Sequence, residues 1–426
     1  MTVVTRASDV VPIVEGKSRG REAISSTELS VSCAKRFRRN SGARRRGNGP
    51  EFGPFRTRHT ARSRLRRQTL AADLYGARDH RRTVDYSMTG TVVISLDAEL
   101  AWGYHDEHSS SAGGLARRTS NRARQAYRTV TRGHYADHGI TGDELATARR
   151  SWLRLLDAFE EFDTPATWAV VGHLFINKCD GEHRSHPLSP GWFASDPGGT
   201  AAEQPSWFAG DLIDAIADSP TEHEIGSHTF SHVVFGAPTT NSEVASAELR
   251  AATDAAAAHD CSLTSLVFPR NWVGHRDVLA EHGFTCYRGN RARWYDDALV
   301  RPAAKMANMG LQFSPPPVGQ PTVDEHGLVD IPASLNLFSF EGLARSLVGP
   351  VVADPIVRQA KLGIERAINE DGVFHLWLHP NDVLRPSHIE RMRTVLAHVD
   401  ERRSQGELTV ETMSSLAERT KANATG

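Results

Sequence analysis

The chain has 426 residues, 39% of them hydrophobic and 24% charged, and a net charge of −1. It carries no apolar run long enough to cross a bilayer, and its first residues lack the charged, apolar, then small layout of a secretory signal, so a cytoplasmic protein without a membrane segment is expected. The four cysteines (Cys33, Cys179, Cys261 and Cys286) form no CxxC pair and are too widely spaced to suggest a disulfide framework, which points to reduced thiols.

The near-zero charge conceals a division. Residues 1–87 carry a net charge of +12 and the remainder −13, with only six lysines in the whole chain. Clusters such as Arg36–Arg39 and Arg44–Arg46, set among serine and glycine, cannot bury enough surface to offset the entropy of ordering them. Residues 1–87 are therefore expected to be a disordered basic extension or to precede the true start at Met88. A nucleic-acid-binding arm is the less favoured reading.

From Thr91 the texture changes. Thr91–Leu96 is a continuous β-branched run, the mark of a strand buried on both faces, and it leads into Asp97-Ala98-Glu99-Leu100-Ala101-Trp102-Gly103. Residues 104–142 read as a long polar loop with some helix. Helix and strand then alternate: helix over Glu144–Phe162, strand and turn over Ala166–Phe175, helix over Trp207–Ala217, strand over Glu222–Ser227. The alternation continues with a helix over Ser242–Ala258, a strand over Leu263–Phe268, a helix over His275–His282 and a strand over Phe284–Arg288. After an irregular, proline-rich region come a short strand at Leu328–Ile331, a helix at Ile356–Asn369 and a strand at Val373–Leu378. A helix over Pro386–Arg402, a strand over Leu408–Val410 and a helix over Glu411–Thr420 close the chain. Repeated βα units predict a parallel sheet, open or closed into a barrel.

Four of these strands end in residues suited to chemistry: Asp97 and Glu99, His228 and His232, Arg270, and His379. Strand C-termini gather at one face of a parallel α/β fold, where active sites form. The i, i+2 spacing of Asp97 and Glu99 points both carboxylates the same way along a strand. His228 and His232, at i, i+4, converge if a helical turn begins there, giving half of a zinc-type site.

Four segments resemble the polysaccharide deacetylases, the NodB-type homology domain of carbohydrate esterase family four. They are SLDAEL at Ser95–Leu100, HEIGSHTFSH at His223–His232, FPRNWVGH at Phe268–His275 and HLWLHP at His375–Pro380, and the resemblance spans roughly residues 90–415. It implies an irregular (β/α) barrel over residues 88–420 and hydrolysis of acetamido groups on sugars with one divalent metal. It further implies His228, His232 and Glu99 as metal ligands, Asp97 as general base, Arg270 as the arginine that orients it, His379 as general acid and Asp330 as the carboxylate that orients His379. The family usually has two adjacent aspartates where this chain has Asp97, Ala98 and Glu99, so the roles of Asp97 and Glu99 are open to exchange.

A site of carboxylate and imidazole donors suits Zn²⁺, with Co²⁺, Mn²⁺ and Ni²⁺ as alternatives. The expected partner is an N-acetylated carbohydrate, with Trp102 and Trp272 past strand ends as stacking platforms; Trp168 and Trp377, inside strands, read as core. His375 reads as a core histidine, and His105 and His108 as solvated. Two other readings compete: a hydrolase of cyclic amides or ureides on the same fold, and a degenerate carbohydrate-binding module.

Overall fold

The β-branched run at Thr91–Leu96 forms the central strand, β1 (Gly90–Ala98), whose every residue is buried. The computed structural model describes residues 89–105, 141–188, 191–290, 304, 307–308, 314–341 and 354–425. The basic segment 1–87 and nearly all of the polar stretch 104–142, His108 included, lie outside the described residues.

Strands β2 (Thr167–Val170), β5 (Glu224–Ser227), β6 (Ser265–Val267), β7 (Cys286–Gly289) and β9 (Val329–Pro332) extend from β1 in parallel on one side, and β11 (Val373–Leu378) and β10 (Leu335–Asn336) on the other. A two-residue strand, β8 (Thr322–Val323), pairs antiparallel with β9, and the four-residue β12 (Leu408–Glu411) pairs in parallel with the first residues of β1. A separate two-stranded hairpin joins β3 (Lys178–Cys179) to β4 (Gly199–Thr200). The run Val329–Asn336 pairs with β7 through β9 and with β11 through β10, and Ser334 N–H donates to the His375 carbonyl between them. One segment thereby brings the two ends of the sheet together. The result is the irregular (β/α) barrel expected from the sequence.

Helices cover the outside. The first, α1 (Gly142–Glu161), begins at Thr141, whose side chain accepts from Glu144 N–H while Glu144 reaches back to Thr141 N–H, a reciprocal cap. Its buried residues Leu145, Ala148, Trp152, Leu155, Leu156 and Phe159 recur at helical spacing, and Trp152 stacks on Trp168 of β2. Helices α2 (Gly210–Ala217), α3 (Ser242–Ala257), α4 (Arg276–Glu281), α5 (Pro355–Glu370) and α6 (Pro386–Ser404) follow. The helix expected from Trp207 starts only at Gly210, because Trp207 turns back to donate to Gln204 and its carbonyl faces Trp102 and His173.

The two faces of β1 have different environments, as a period of two dictates. Val92, Ile94, Leu96 and Ala98 pack outward under the helices. Val93 packs inward with Ala169, Val267, Cys286 and Ile331, and α7 (Met413–Thr425) adds Met413 and Leu416 to that cluster. Because β12 pairs at the start of β1 and Met413 N–H donates to Thr167 at the start of β2, this apolar plug occupies the N-terminal end of the barrel. Higher along the inward face stand Ser95 and then Asp97, so polar groups are left for the C-terminal end.

Candidate active site

Asp97 is the last inward residue of β1, and Glu99 follows one residue past the strand, before Leu100 at φ 46° turns the chain. Both carboxylates face His379, which follows β11: its Nε2 lies 3.6 Å from Asp97 Oδ2 and 3.7 Å from Glu99 Oε1. The i, i+2 expectation for the two carboxylates is thus realised across the strand end.

Glu99 Oε1 is also 3.1 Å from His228 Nε2 and 3.3 Å from His232 Nε2. The histidines do not converge through a helical turn. Residues 228–235 contain no helix, and Thr229 and His232 have φ of 62° and 63°, so a loop with left-handed steps swings both rings inward, with centroids 5.1 Å apart. His228 Nδ1 lies 2.8 Å from the Val267 carbonyl and must donate to it, which leaves the Nε2 lone pair aimed at a carboxylate oxygen. With the ring neutral, two acceptors face each other 3.1 Å apart in a buried place, and either a proton on Nε2 or a metal ion between them relieves this. Glu99, His228 and His232 offer donor atoms within 4.8 Å of one another and all three are buried. An oxygen and two imidazole nitrogens, one of them oriented by a backbone carbonyl, suit a divalent ion of the zinc class.

Asp97 is held by Arg288, not by Arg270. Arg270 is exposed, at φ 58° in the short 3-10 turn after β6, whereas Arg288 is fully buried on β7. The Arg288 guanidinium donates to both Asp97 oxygens at 2.5 and 2.7 Å, to Ser95 Oγ at 3.0 Å, and twice to Asn271 Oδ1 at 3.0 and 2.7 Å. All five of its N–H donors are engaged, and it also lies 4.3 Å over the Trp377 ring. Burial alone would raise the Asp97 pKa; the adjacent Arg288 charge, with His379, outweighs it and holds the carboxyl below its ordinary range.

Beneath this pair, Ser95 Oγ accepts from Arg288 and is 2.8 Å from His375 Nε2. The hydroxyl therefore donates to His375, whose Nδ1 faces the Ile331 carbonyl. His375 is the core histidine expected, kept neutral by burial and by the nearby Arg288 charge, with its pKa pulled down to about 3.

His379 is oriented by Asp382, not by Asp330. Its Nδ1 lies 3.0 Å from Asp382 Oδ2, three residues on in the turn Pro380–Asp382. Burial disfavours the imidazolium, but Glu99, Asp382 and Asp97 together more than compensate and raise its pKa to about 9. Asp330 sits elsewhere on the barrel wall, beside Tyr287 and Asp324 under Gly289, with burial raising its pKa.

Of the two tryptophans expected at a carbohydrate surface, Trp102 is wholly buried among His105, His173, Phe193 and Trp207, so it is core. Trp272 is 53% exposed, next to Asn271, with its ring over Gly236. His105, expected in solvent, is buried: Trp192 packs on its edge and its Nδ1 lies 2.8 Å from the Trp102 carbonyl. Trp168 is core as expected, while Trp377 is half-buried and covers Arg288.

Arg288 and Asp382 escape the sequence reading. The signal for the first is an arginine at an inward position of a strand otherwise bound for burial. For the second it is a carboxylate at i+3 from a strand-end histidine.

No family model matches the chain. No curated protein matches it. Among solved structures, the chain is similar to a candidate polysaccharide deacetylase from Mycobacterium smegmatis (17% identity, 79% of this chain and 92% of that chain, TM-score 0.48). It is also similar to Puue allantoinase (14%, 78% and 90%, TM-score 0.48) and to a candidate polysaccharide deacetylase from Pseudomonas aeruginosa PAO1 (13%, 77% and 89%, TM-score 0.46).

Proposed function

We propose that residues 88–420 form a metal-dependent hydrolase that removes an N-acetyl or related acyl group from an amino sugar in a polysaccharide, oligosaccharide or precursor. The observation that carries this reading is the convergence of an oriented carboxylate, Asp97, and an oriented imidazole, His379, beside a Glu99–His228–His232 donor set. Hydrolysis of an amide needs that combination, since its carbonyl is a poor electrophile and its amine a poor leaving group.

Glu99, His228 and His232 would hold a divalent ion, which would supply Lewis-acid polarisation of the carbonyl and a more acidic water. Asp97, kept anionic by Arg288, accepts a proton from the attacking water. Arg288 fixes the carboxylate in one orientation, so little reorganisation accompanies the transfer. His379, protonated and aligned by Asp382, donates to the departing amine. Trp272 at the rim offers an aromatic face on which a sugar ring can stack.

Acetate release from N-acetylated amino-sugar oligosaccharides, assayed beside cyclic ureides, tests the proposal. Metal-dependent acetate release, slowed roughly a hundred- to ten-thousandfold by Asp97→Asn, is expected. Hydrolysis of ureides alone would move the reading to a cyclic-amide hydrolase, and carbohydrate binding without turnover of either class would leave a binding module.

A further inference from the structure

A second set of ligating side chains lies outside the catalytic constellation, in the excursion that leaves the C-terminal end of β2. His173 stands in the 3-10 turn Gly172–Phe175, Cys179 on β3, His183 in the following turn and Asp196 just before β4. Three of their donor atoms crowd one carboxylate oxygen. Asp196 Oδ2 lies 2.7 Å from His183 Nε2, 3.2 Å from His173 Nε2 and 3.4 Å from Cys179 Sγ. All four residues offer an atom within 4.8 Å of the others.

Hydrogen bonding accounts for only part of the arrangement: His183 Nε2 and Cys179 Sγ bond Asp196 Oδ2, but His173 Nε2 does not. His173 is completely buried, and its Nδ1 lies 3.2 Å from the Trp207 carbonyl, to which it must donate. A neutral ring then has only a lone pair at Nε2, yet that atom points at a carboxylate oxygen and makes no hydrogen bond. His228 is placed comparably, its Nδ1 fixed by a backbone carbonyl and its Nε2 facing a carboxylate, but there Nε2 lies within hydrogen-bonding geometry of Glu99 Oε1. Asp196 is itself braced, its Oδ1 accepting from Gly198 N–H at 2.9 Å.

We propose that His173, Cys179, His183 and Asp196 bind a second divalent ion, of the zinc class, in a closed structural site. One thiolate, two imidazoles and one carboxylate complete a tetrahedral set with no open position, the pattern of structural rather than catalytic zinc. Zn–N of about 2.0–2.1 Å and Zn–S of about 2.3 Å put tetrahedral donors roughly 3.3–3.6 Å apart, so an ion enters with shifts of about an ångström or less from the distances present. Bound orientation of His173 by a backbone carbonyl and of Asp196 by a backbone N–H is the support such ligands ordinarily have.

The site's position gives it a purpose. Trp192, between His183 and Asp196, donates its indole N–H to Ser231 of the catalytic-histidine loop and packs on His105. An ion that pins this excursion therefore steadies the backing of His228 and His232. The inference stands whether or not the catalytic set turns over an acetamido sugar.

Titration of the metal-free full-length chain with Co²⁺ tests it, because cobalt–thiolate ligation gives a near-ultraviolet charge-transfer absorption that a carboxylate–imidazole site cannot. The unmodified chain is expected to develop that band. Cys179→Ser should abolish it and lower zinc content by one ion per chain, while His228→Ala should retain it. Failure of the unmodified chain to show the band would overturn the proposal, whatever the variants do. A band that survives Cys179→Ser would overturn it too, since the thiolate would then belong to another cysteine.

Discussion

Asp97 presents both carboxylate oxygens to the one guanidinium of Arg288, at 2.5 and 2.7 Å, inside the barrel and almost wholly out of water. Neither charge could be left there alone. The pair survives because Ser95, Asn271 and the face of Trp377 take up what remains of the guanidinium's capacity.

Removing one partner should therefore cost stability as well as activity. Arg288→Met is expected to destabilise the protein by about 3–5 kcal/mol, the usual consequence of an uncompensated buried charge. Arg288→Lys should rescue only part of this, since a point charge cannot make the two-pronged contact. Arg270→Ala, at an exposed position, should stay within about 0.5 kcal/mol of the parent. Urea denaturation of the three variants checks the contrast.

Asp97→Asn keeps the shape of the site but removes the proton acceptor. A loss of roughly a hundred- to ten-thousandfold in kcat is expected, with metal content at the Glu99 site unchanged. Steady-state kinetics with metal analysis on the same sample decides it; loss of the ion would exchange the roles of Asp97 and Glu99.

The His379 pair with Asp382 sets a pH dependence. In metal-free protein the folded pKa is raised to about 9 from an ordinary value of about 6.5. The folded state then binds more protons across that interval. The group's contribution to stability is fully present below about pH 6.5 and is lost as pH rises through the folded pKa. Asp382→Asn should move the His379 midpoint downward, followed by NMR titration of the imidazole.

On the acid side, His223 behaves oppositely. Burial lowers its pKa to about 4, its Nδ1 accepting from Ala166 N–H. The unfolded chain takes up the proton first, so this contribution is intact above about pH 6.5 and falls away as pH drops toward the folded value. His223→Gln should make thermal stability less steep between those limits, read by melting curves across the range.

The two tryptophans should separate cleanly. Trp102→Ala is expected to cost about 3–5 kcal/mol by opening a large cavity. Trp272→Ala should leave the melting temperature nearly unchanged and raise KM for an oligosaccharide substrate.

Much of the barrel is legible because its strands must be apolar on both faces. Val373–Leu378 is bounded in sequence as it is in space, and β1 exceeds its β-branched run by only a residue or two at each end. Asp97, Glu99, His228, His232 and His379 are brought together because each follows or ends a parallel strand. What sequence could not supply was the partner across the barrel. Arg270 and Arg288 both lie near strand ends, and only the inward pleat of β7, in register with Val267, distinguishes them. Trp102 lies in the core and not at a surface because the positive φ of Leu100 bends the chain back under the excursion after β2, a turn that no local pattern announces. The second ligand set was hidden for a related reason: His173, Cys179, His183 and Asp196 have no standard spacing and meet only through the hairpin of β3 and β4.

The most direct test of the catalytic reading is metal stoichiometry of the Cys179→Ser chain, in which only the Glu99 site is read, compared with the same chain carrying Glu99→Ala or His228→Ala. One divalent ion per chain, lost in both double variants together with acetate release, is the expected result. An ion retained in both, or none bound by the Cys179→Ser chain after reconstitution, would contradict a catalytic metal centre at Glu99, His228 and His232.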